Sequence, residues 1–148
     1  KDSHLYLTER IKDLFKTSNG KYISPQALET KLAIDRYIDQ IAVIADERKF
    51  VSALIVPVYG FVKDYAKEKG IAYSNMDELL QHPKIQALFR ARIDTLQQQF
   101  AHYEQVKRFT LLTEPFSMER GELTNTLKLK RSVVAKNYKG LIDKMYEE

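Results

Sequence analysis

Two apolar, β-branched runs in the first half of the chain, residues 38–45 and 50–56, constrain the fold more than anything else in the sequence. Only the polar Asp46-Glu47-Arg48-Lys49 separates them, and Pro57 stops the second. Branched side chains stiffen the backbone toward extended conformations and pack well on a pleated surface. A short polar link between two such runs predicts paired antiparallel strands.

The flanking segments follow other periods. Residues 5–23 alternate loosely around Leu5, Leu7, Ile11, Leu14 and Phe15 and turn at Ser18-Asn19-Gly20, which predicts an N-terminal hairpin. Ser24 then stands as an N-cap before Pro25, with Leu28, Leu32 and Ala33 on one side of a short helix to about residue 34. A second helix over 59–69 places Phe61, Val62, Tyr65 and Ala66 on one face and ends at Gly70. Residues 75–81 and 84–103 are predicted helical, the latter from Ile85, Leu88, Phe89, Ile93, Leu96 and Phe100 recurring at three and four. Residues 109–112 make a third strand candidate before Pro115. Residues 132–146 return to helical spacing around Val133, Val134, Tyr138, Leu141, Ile142 and Met145. Strands and helices mix without a regular βαβ repeat. The expected fold class is α+β: a small sheet with an N-terminal hairpin, packed against several helices including a long inserted one.

At 148 residues the chain suits a single core. Hydrophobic residues make up 44%, charged residues 30%, and mean hydropathy is -0.42, which excludes a disordered tail and a membrane-embedded protein. No apolar run is long enough for a membrane span. The absence of cysteine excludes a disulfide scaffold, a thiolate zinc site and a cysteine nucleophile. His4, His82 and His102 are widely spaced, so no metal site is expected. Carboxylate pairs such as Asp46-Glu47 and Glu147-Glu148 fall in a turn and a tail and receive no acid or base role. No GxxxxGK[ST] or GxGxxG is present, so a complete nucleotide site is not expected in these residues. The chain begins at Lys1 with no signal-like segment, and is expected to be a piece of a longer, cytoplasmic protein.

Two lysine-rich segments remain. One runs Glu9-Arg10-Ile11-Lys12-Asp13-Leu14-Phe15-Lys16-Thr17-Ser18-Asn19-Gly20-Lys21-Tyr22-Ile23-Ser24-Pro25, the other Leu123-Thr124-Asn125-Thr126-Leu127-Lys128-Leu129-Lys130-Arg131. They resemble the hinge motif and the C-terminal lysine motif of the adenylate-forming enzymes, in the long-chain fatty acyl-CoA synthetase branch. Between them, Tyr37-Ile38-Asp39-Gln40 and Phe50-Val51-Ser52-Ala53-Leu54-Ile55-Val56-Pro57 also resemble that branch, so the likeness covers essentially the whole chain.

The resemblance implies that residues 1–148 are the mobile C-terminal lid of a long-chain fatty acid:CoA ligase. Its large ATP- and acyl-binding domain would be the lid's partner. Such enzymes use ATP with Mg to form an acyl adenylate, then transfer the acyl group to CoA. By position, Lys128 resembles the adenylation lysine, Lys12 the hinge residue, and Arg10 a residue near the nucleotide. Thr17, Ser18, Asn19, Gly20 and Lys21 resemble the loop that walls the CoA tunnel. Asn125 departs from the branch, where proline is usual, and Asn19 stands where a second glycine is usual. On the residues alone, Lys128 reads as an exposed strand lysine, with Leu127 and Leu129 facing one way and Lys128 and Lys130 the other.

Two further readings compete. Lys128, Lys130, Arg131, Lys136 and Lys139 form an acid-free basic stretch that a nucleic-acid-binding module could use, although no stacking aromatics are interleaved and no nucleic acid is expected as a partner. A helical protein-interaction module could instead present the Ile85–Phe100 stripe. The resemblance also leaves peripheral membrane association of the full-length enzyme open as an expectation.

Overall fold

The computed structural model describes residues 15–16, 20–45 and 48–147. The backbone forms a two-stranded hairpin, β1 (Phe15–Lys16) and β2 (Tyr22–Ile23), then α1 (Pro25–Leu32), β3 (Ile38–Ile44) and β4 (Val51–Pro57). Next come α2 (Tyr59–Lys69), α3 (Met76–Gln81), α4 (Pro83–Leu96), a 3₁₀ turn at His102–Glu104 and β5 (Val106–Leu111). Helices α5 (Arg131–Asn137) and α6 (Lys139–Met145) close the chain. The α+β class is as expected.

The element boundaries follow local chemistry. Ser24 Oγ accepts the Ala27 N–H at 3.3 Å, and Pro25 opens α1 where its missing N–H costs nothing. Gly70 ends α2 at φ 68°, a left-handed conformation open to glycine without a Cβ penalty. Asn75 caps α3 through the Glu78 N–H at 2.8 Å, and His82 Nδ1 caps α4 through the Lys84 N–H at 3.1 Å. His82 is thus a helix cap.

In the three-stranded sheet the order is β3-β4-β5, with β3 antiparallel and β5 parallel to the central β4. Every residue of β4 is buried, because both faces of the sheet are covered. On one face Ile41, Val43, Val51, Ala53 and Ile55 meet α1 through Leu28 and Leu32, α2 through Val62 and Ala66, and α4 through Ile85, Phe89 and Ile93. On the other, Ala42, Ile44, Leu54 and Val56 meet Phe116, Val134, Ile142 and Met145. The apolar stripe of α4 is therefore spent on the protein's own core, which removes the surface that a helical interaction module would present.

Three sequence expectations are corrected. Helix α4 stops at Leu96 and does not reach residue 103. Gln97 turns inward, 1% exposed, and its amide closes on Val106: the Val106 N–H donates to Oε1 at 2.7 Å and Nε2 donates to the Val106 carbonyl at 3.2 Å. This pairing reverses the chain into β5, while Phe100 still packs on the core and so mimics a longer helical period. The predicted helix over 132–146 is two helices, broken at Tyr138 with φ -110° and ψ 22°. Lys128 does not lie in an alternating strand, as described next.

Candidate active-site lysine loop

The segment after β5 is built on a buried carboxylate. Glu122 is fully buried, and its Oε1 accepts the Ser117 N–H at 3.0 Å and Arg120 Nε at 3.1 Å, while Oε2 accepts Asn137 Nδ2 at 3.0 Å. Burial alone would push its carboxyl up, but hydrogen bonds from Arg120, Asn137 and Ser117 and the Arg120 charge outweigh it, holding Glu122 below the usual carboxylate range. Arg120 is raised in turn, first by that hydrogen bond. The Glu122 carbonyl accepts the Lys130 N–H at 2.8 Å, and Leu123 bridges Leu129 in antiparallel sense. The two strands of a small hairpin are thereby joined at the base.

Thr124 closes the tip. Its N–H donates to the Lys128 carbonyl and its own carbonyl accepts the Leu127 N–H, both at 2.8 Å. Its Oγ1 accepts the N–H groups of Lys128 at 3.0 Å and Thr126 at 3.3 Å. Leu127 has φ 63°, the positive-φ non-glycine residue among those described. This is the three-residue hairpin loop that ends on a left-handed residue, a position usually taken by glycine or asparagine. Leu127 consequently points to solvent, 66% exposed, while Leu129 is half-buried against the second core cluster. The expectation that both leucines face one way fails, because the left-handed residue breaks the two-residue alternation. Lys128 stands exposed at the tip, and its amine has no hydrogen-bond or ion partner among the described residues.

Just past the hairpin, Arg131 forms a bidentate pair with Glu29 of α1. Its Nη1 bonds Oε2, and Nη2 donates to Oε1 at 3.1 Å, with side chains only 19% and 15% exposed. Glu29 Oε2 also accepts the Val43 N–H at 2.8 Å, and Arg131 Nη1 donates to the Val43 carbonyl at 3.3 Å. The pair occupies backbone groups on the outer edge of β3, where an unpaired strand would otherwise invite association. Lys139 is likewise engaged, with Asp143 at 2.7 Å. The basic stretch of the nucleic-acid reading is therefore interrupted at two of its five positions.

Of the other sequence-derived candidates, Arg10, Lys12, Thr17, Ser18 and Asn19 lie outside the described residues. Gly20, at φ 84°, has open space where a Cβ would stand. Lys21 Nζ sits 5.5 Å from the Tyr103 ring centroid. The stem of that turn packs through Ile23 on the first core cluster, whereas the Lys128 hairpin leans through Leu123 and Leu129 on the second. The three-stranded sheet separates the two elements.

Glu122 and the Glu29–Arg131 pair were not singled out in the sequence. The cue in hand was Arg120-Gly121-Glu122, opposite charges around a glycine that adopts φ 77°; for Glu29 and Arg131, 102 positions apart, no local signal exists. Among the described residues no group of three or more His, Asp or Glu could hold a metal ion.

A family model described as the AMP-binding enzyme C-terminal domain matches residues 12–148. The chain belongs to that family. Similar curated proteins include the peroxisomal long chain acyl-CoA synthetase 7 of Arabidopsis thaliana, 33% identical over 147 residues, covering 97% of this chain and 21% of that protein. A long-chain-fatty-acid–CoA ligase of Mycobacterium tuberculosis is 30% identical over 148 residues, covering 99% of this chain and 25% of that protein. Among solved structures, the adenylation domain of a carboxylate reductase from Mycobacterium chelonae matches with a TM-score of 0.76 at 22% identity, over 94% of this chain and 20% of that one. This last likeness is one of fold. The AMP-binding C-terminal domain described here thus spans about a fifth to a quarter of the length of the curated relatives it matches. No helix among its described residues is long and apolar enough to cross a membrane.

Proposed function

We propose that residues 1–148 are the mobile C-terminal lid of an ATP-dependent, AMP-forming long-chain fatty acid:CoA ligase, with the large ATP- and acyl-binding domain outside these residues. The observation that carries this reading is Lys128, an ammonium with no partner among the described residues, exposed at the tip of a hairpin whose base is fixed by a buried, fully hydrogen-bonded carboxylate.

In adenylate formation a fatty carboxylate oxygen attacks the α-phosphate of ATP and pyrophosphate leaves. Negative charge is redistributed over the phosphate and the attacking oxygen. A lysine ammonium brought beside them stabilises that charge most where water is excluded, as it would be under a closed lid. Lys128 takes this role. The lid then rotates about Lys12, a swing that a few backbone torsions can absorb. It brings the loop of Thr17, Ser18, Asn19, Gly20 and Lys21 against the thiol arm of CoA, where a glycine lets backbone approach closely. The CoA sulfur attacks the acyl carbon and AMP leaves. Arg10 contacts the nucleotide, since a guanidinium fork suits a phosphate or ribose hydroxyl. Two orientations are supported by the sheet: the Lys128 hairpin and the stem of the Gly20–Lys21 turn rest on opposite core clusters, which suits offering them to one cleft in turn. With no group of three or more His, Asp or Glu among the described residues able to hold a metal, these residues would not be the ones that bind the magnesium accompanying ATP.

The test is Lys128→Ala in the full-length enzyme, with the half-reactions measured separately. Adenylation is expected to fall by orders of magnitude, while thioester formation from supplied acyl adenylate persists. Equal losses in both would remove the two-orientation assignment.

A further inference from the structure

We infer that Thr124 is the positioning residue for Lys128: its hydroxyl, acting on backbone N–H groups, holds the lysine at the angle the adenylation step needs. This rests on the assignment of Lys128 above and adds a residue with no charge and no reactive role of its own.

The hydroxyl has one hydrogen and two lone pairs. Both lone pairs are taken, by the N–H of Thr126 at 3.3 Å and that of Lys128 at 3.0 Å. The hydrogen is then left for Thr126 Oγ1, 3.0 Å away. One side chain thus spans the loop and grips the backbone of the lysine directly. The grip has something to resist. Leu127, immediately before Lys128, sits at φ 63°, where a Cβ crowds the following carbonyl, and its side chain gains nothing from burial at 66% exposure. The backbone bonds of Thr124 to Lys128 and Leu127 remain without the brace, but the loop loses both of its side-chain bonds, and relaxation of Leu127 toward negative φ then re-aims Lys128. Glu122 and the Leu123–Leu129 bridge fix the base of the hairpin but do not reach its tip.

Stability should be indifferent to Thr124 because the loop is solvated: water replaces the lost acceptor for both N–H groups. Aim should not be, because misplacing a catalytic group by about 1 Å costs on the order of a hundred-fold. The experiment compares Thr124→Val, which keeps the shape and loses the acceptor, with Thr124→Ser, which keeps the hydroxyl, both in the full-length enzyme. The readouts are fatty-acid-dependent pyrophosphate exchange, CoA acylation from supplied acyl adenylate, and the thermal midpoint. For Thr124→Val, kcat for adenylation is expected to fall by about ten- to a hundred-fold. The KM values for ATP and fatty acid, and thioester formation, should stay within about two-fold. The midpoint should not move, and Thr124→Ser should recover adenylation. Normal adenylation by Thr124→Val, beside an inactive Lys128→Ala, would overturn this inference alone. So would equal loss in both half-reactions, or a serine variant as slow as the valine one. Normal adenylation by Lys128→Ala would overturn the lysine assignment itself, and this inference with it.

Discussion

Replacing Glu122 with glutamine keeps the side chain's shape but removes its charge and turns one of its acceptors into a donor. In the native chain three donors, the Ser117 N–H, Arg120 and Asn137, converge on a carboxylate with no solvent exposure. In Glu122→Gln, one oxygen can still accept from the Ser117 N–H and Arg120, but the new amide nitrogen faces Asn137 Nδ2, which keeps only its 3.3 Å bond to the Arg120 carbonyl. Losing hydrogen bonds to a charged acceptor costs about 1.5–3 kcal/mol, and loss of the buried ionic partner of Arg120, which keeps only the exposed Glu114 at 3.7 Å, adds to it, so a destabilisation of about 2–4 kcal/mol is expected. At about 3 °C per kcal/mol for a domain of this size, the midpoint falls by about 6–12 °C. The pH dependence has a definite sign. The folded protein holds Glu122 below its ordinary value of 4.5, so its contribution is complete above that value and is lost as the pH falls through the lower, folded one. Thermal and urea denaturation of both proteins, at neutral pH and in steps below 4.5, should therefore show a gap that narrows on acidification. A gap under about 0.5 kcal/mol at neutral pH, the scale of ordinary surface substitutions, would refute the reasoning. A gap unchanged on acidification would do so as well.

Substitutions at three other positions test the loop and the pair beside it. Glu29→Ala and Arg131→Ala should each destabilise the chain by about 2–3 kcal/mol, while the double variant costs much less than their sum, giving a coupling of at least about 1 kcal/mol in a urea-denaturation cycle. Additive effects would mean that the pair does not anchor the edge of β3. Leu127→Ile should destabilise by about 1 kcal/mol despite the exposure of the site, because a β-branched residue tolerates positive φ poorly, whereas Leu127→Gly should be close to neutral as relief of strain offsets added chain freedom. A neutral isoleucine variant in the same denaturation assay would contradict the left-handed conformation.

Strands β3 and β4 were legible because their runs are unbroken and β-branched, and the starts of α1 and the end of α2 because Ser24-Pro25 and Gly70 carry their geometry locally. What escaped was set at a distance. Gln97 reads as one of three surface glutamines, yet it ends α4 by pairing with Val106, nine positions away. Leu127 is no turn former, so the hairpin rests on the base held by Glu122, Asn137 and Arg120, and its tip is aimed by the hydroxyl of Thr124. The role proposed for Lys128 rests on its motif, and alternation along the segment put Leu127 on the wrong side. The parallel placement of β5 beside β4 follows from the path of three intervening helices, which no local pattern encodes.

The central claim is that one lid offers two faces to one cleft in turn. Its most direct measurement is the distance between a label on the large domain and a label on Lys136, a solvent-facing position of α5, in the full-length enzyme. One state would carry fatty acid with a non-hydrolysable ATP analogue, the other an acyl-adenylate analogue with CoA. The account requires two distinct distances, one for each ligand state. A single distance under both conditions would contradict it.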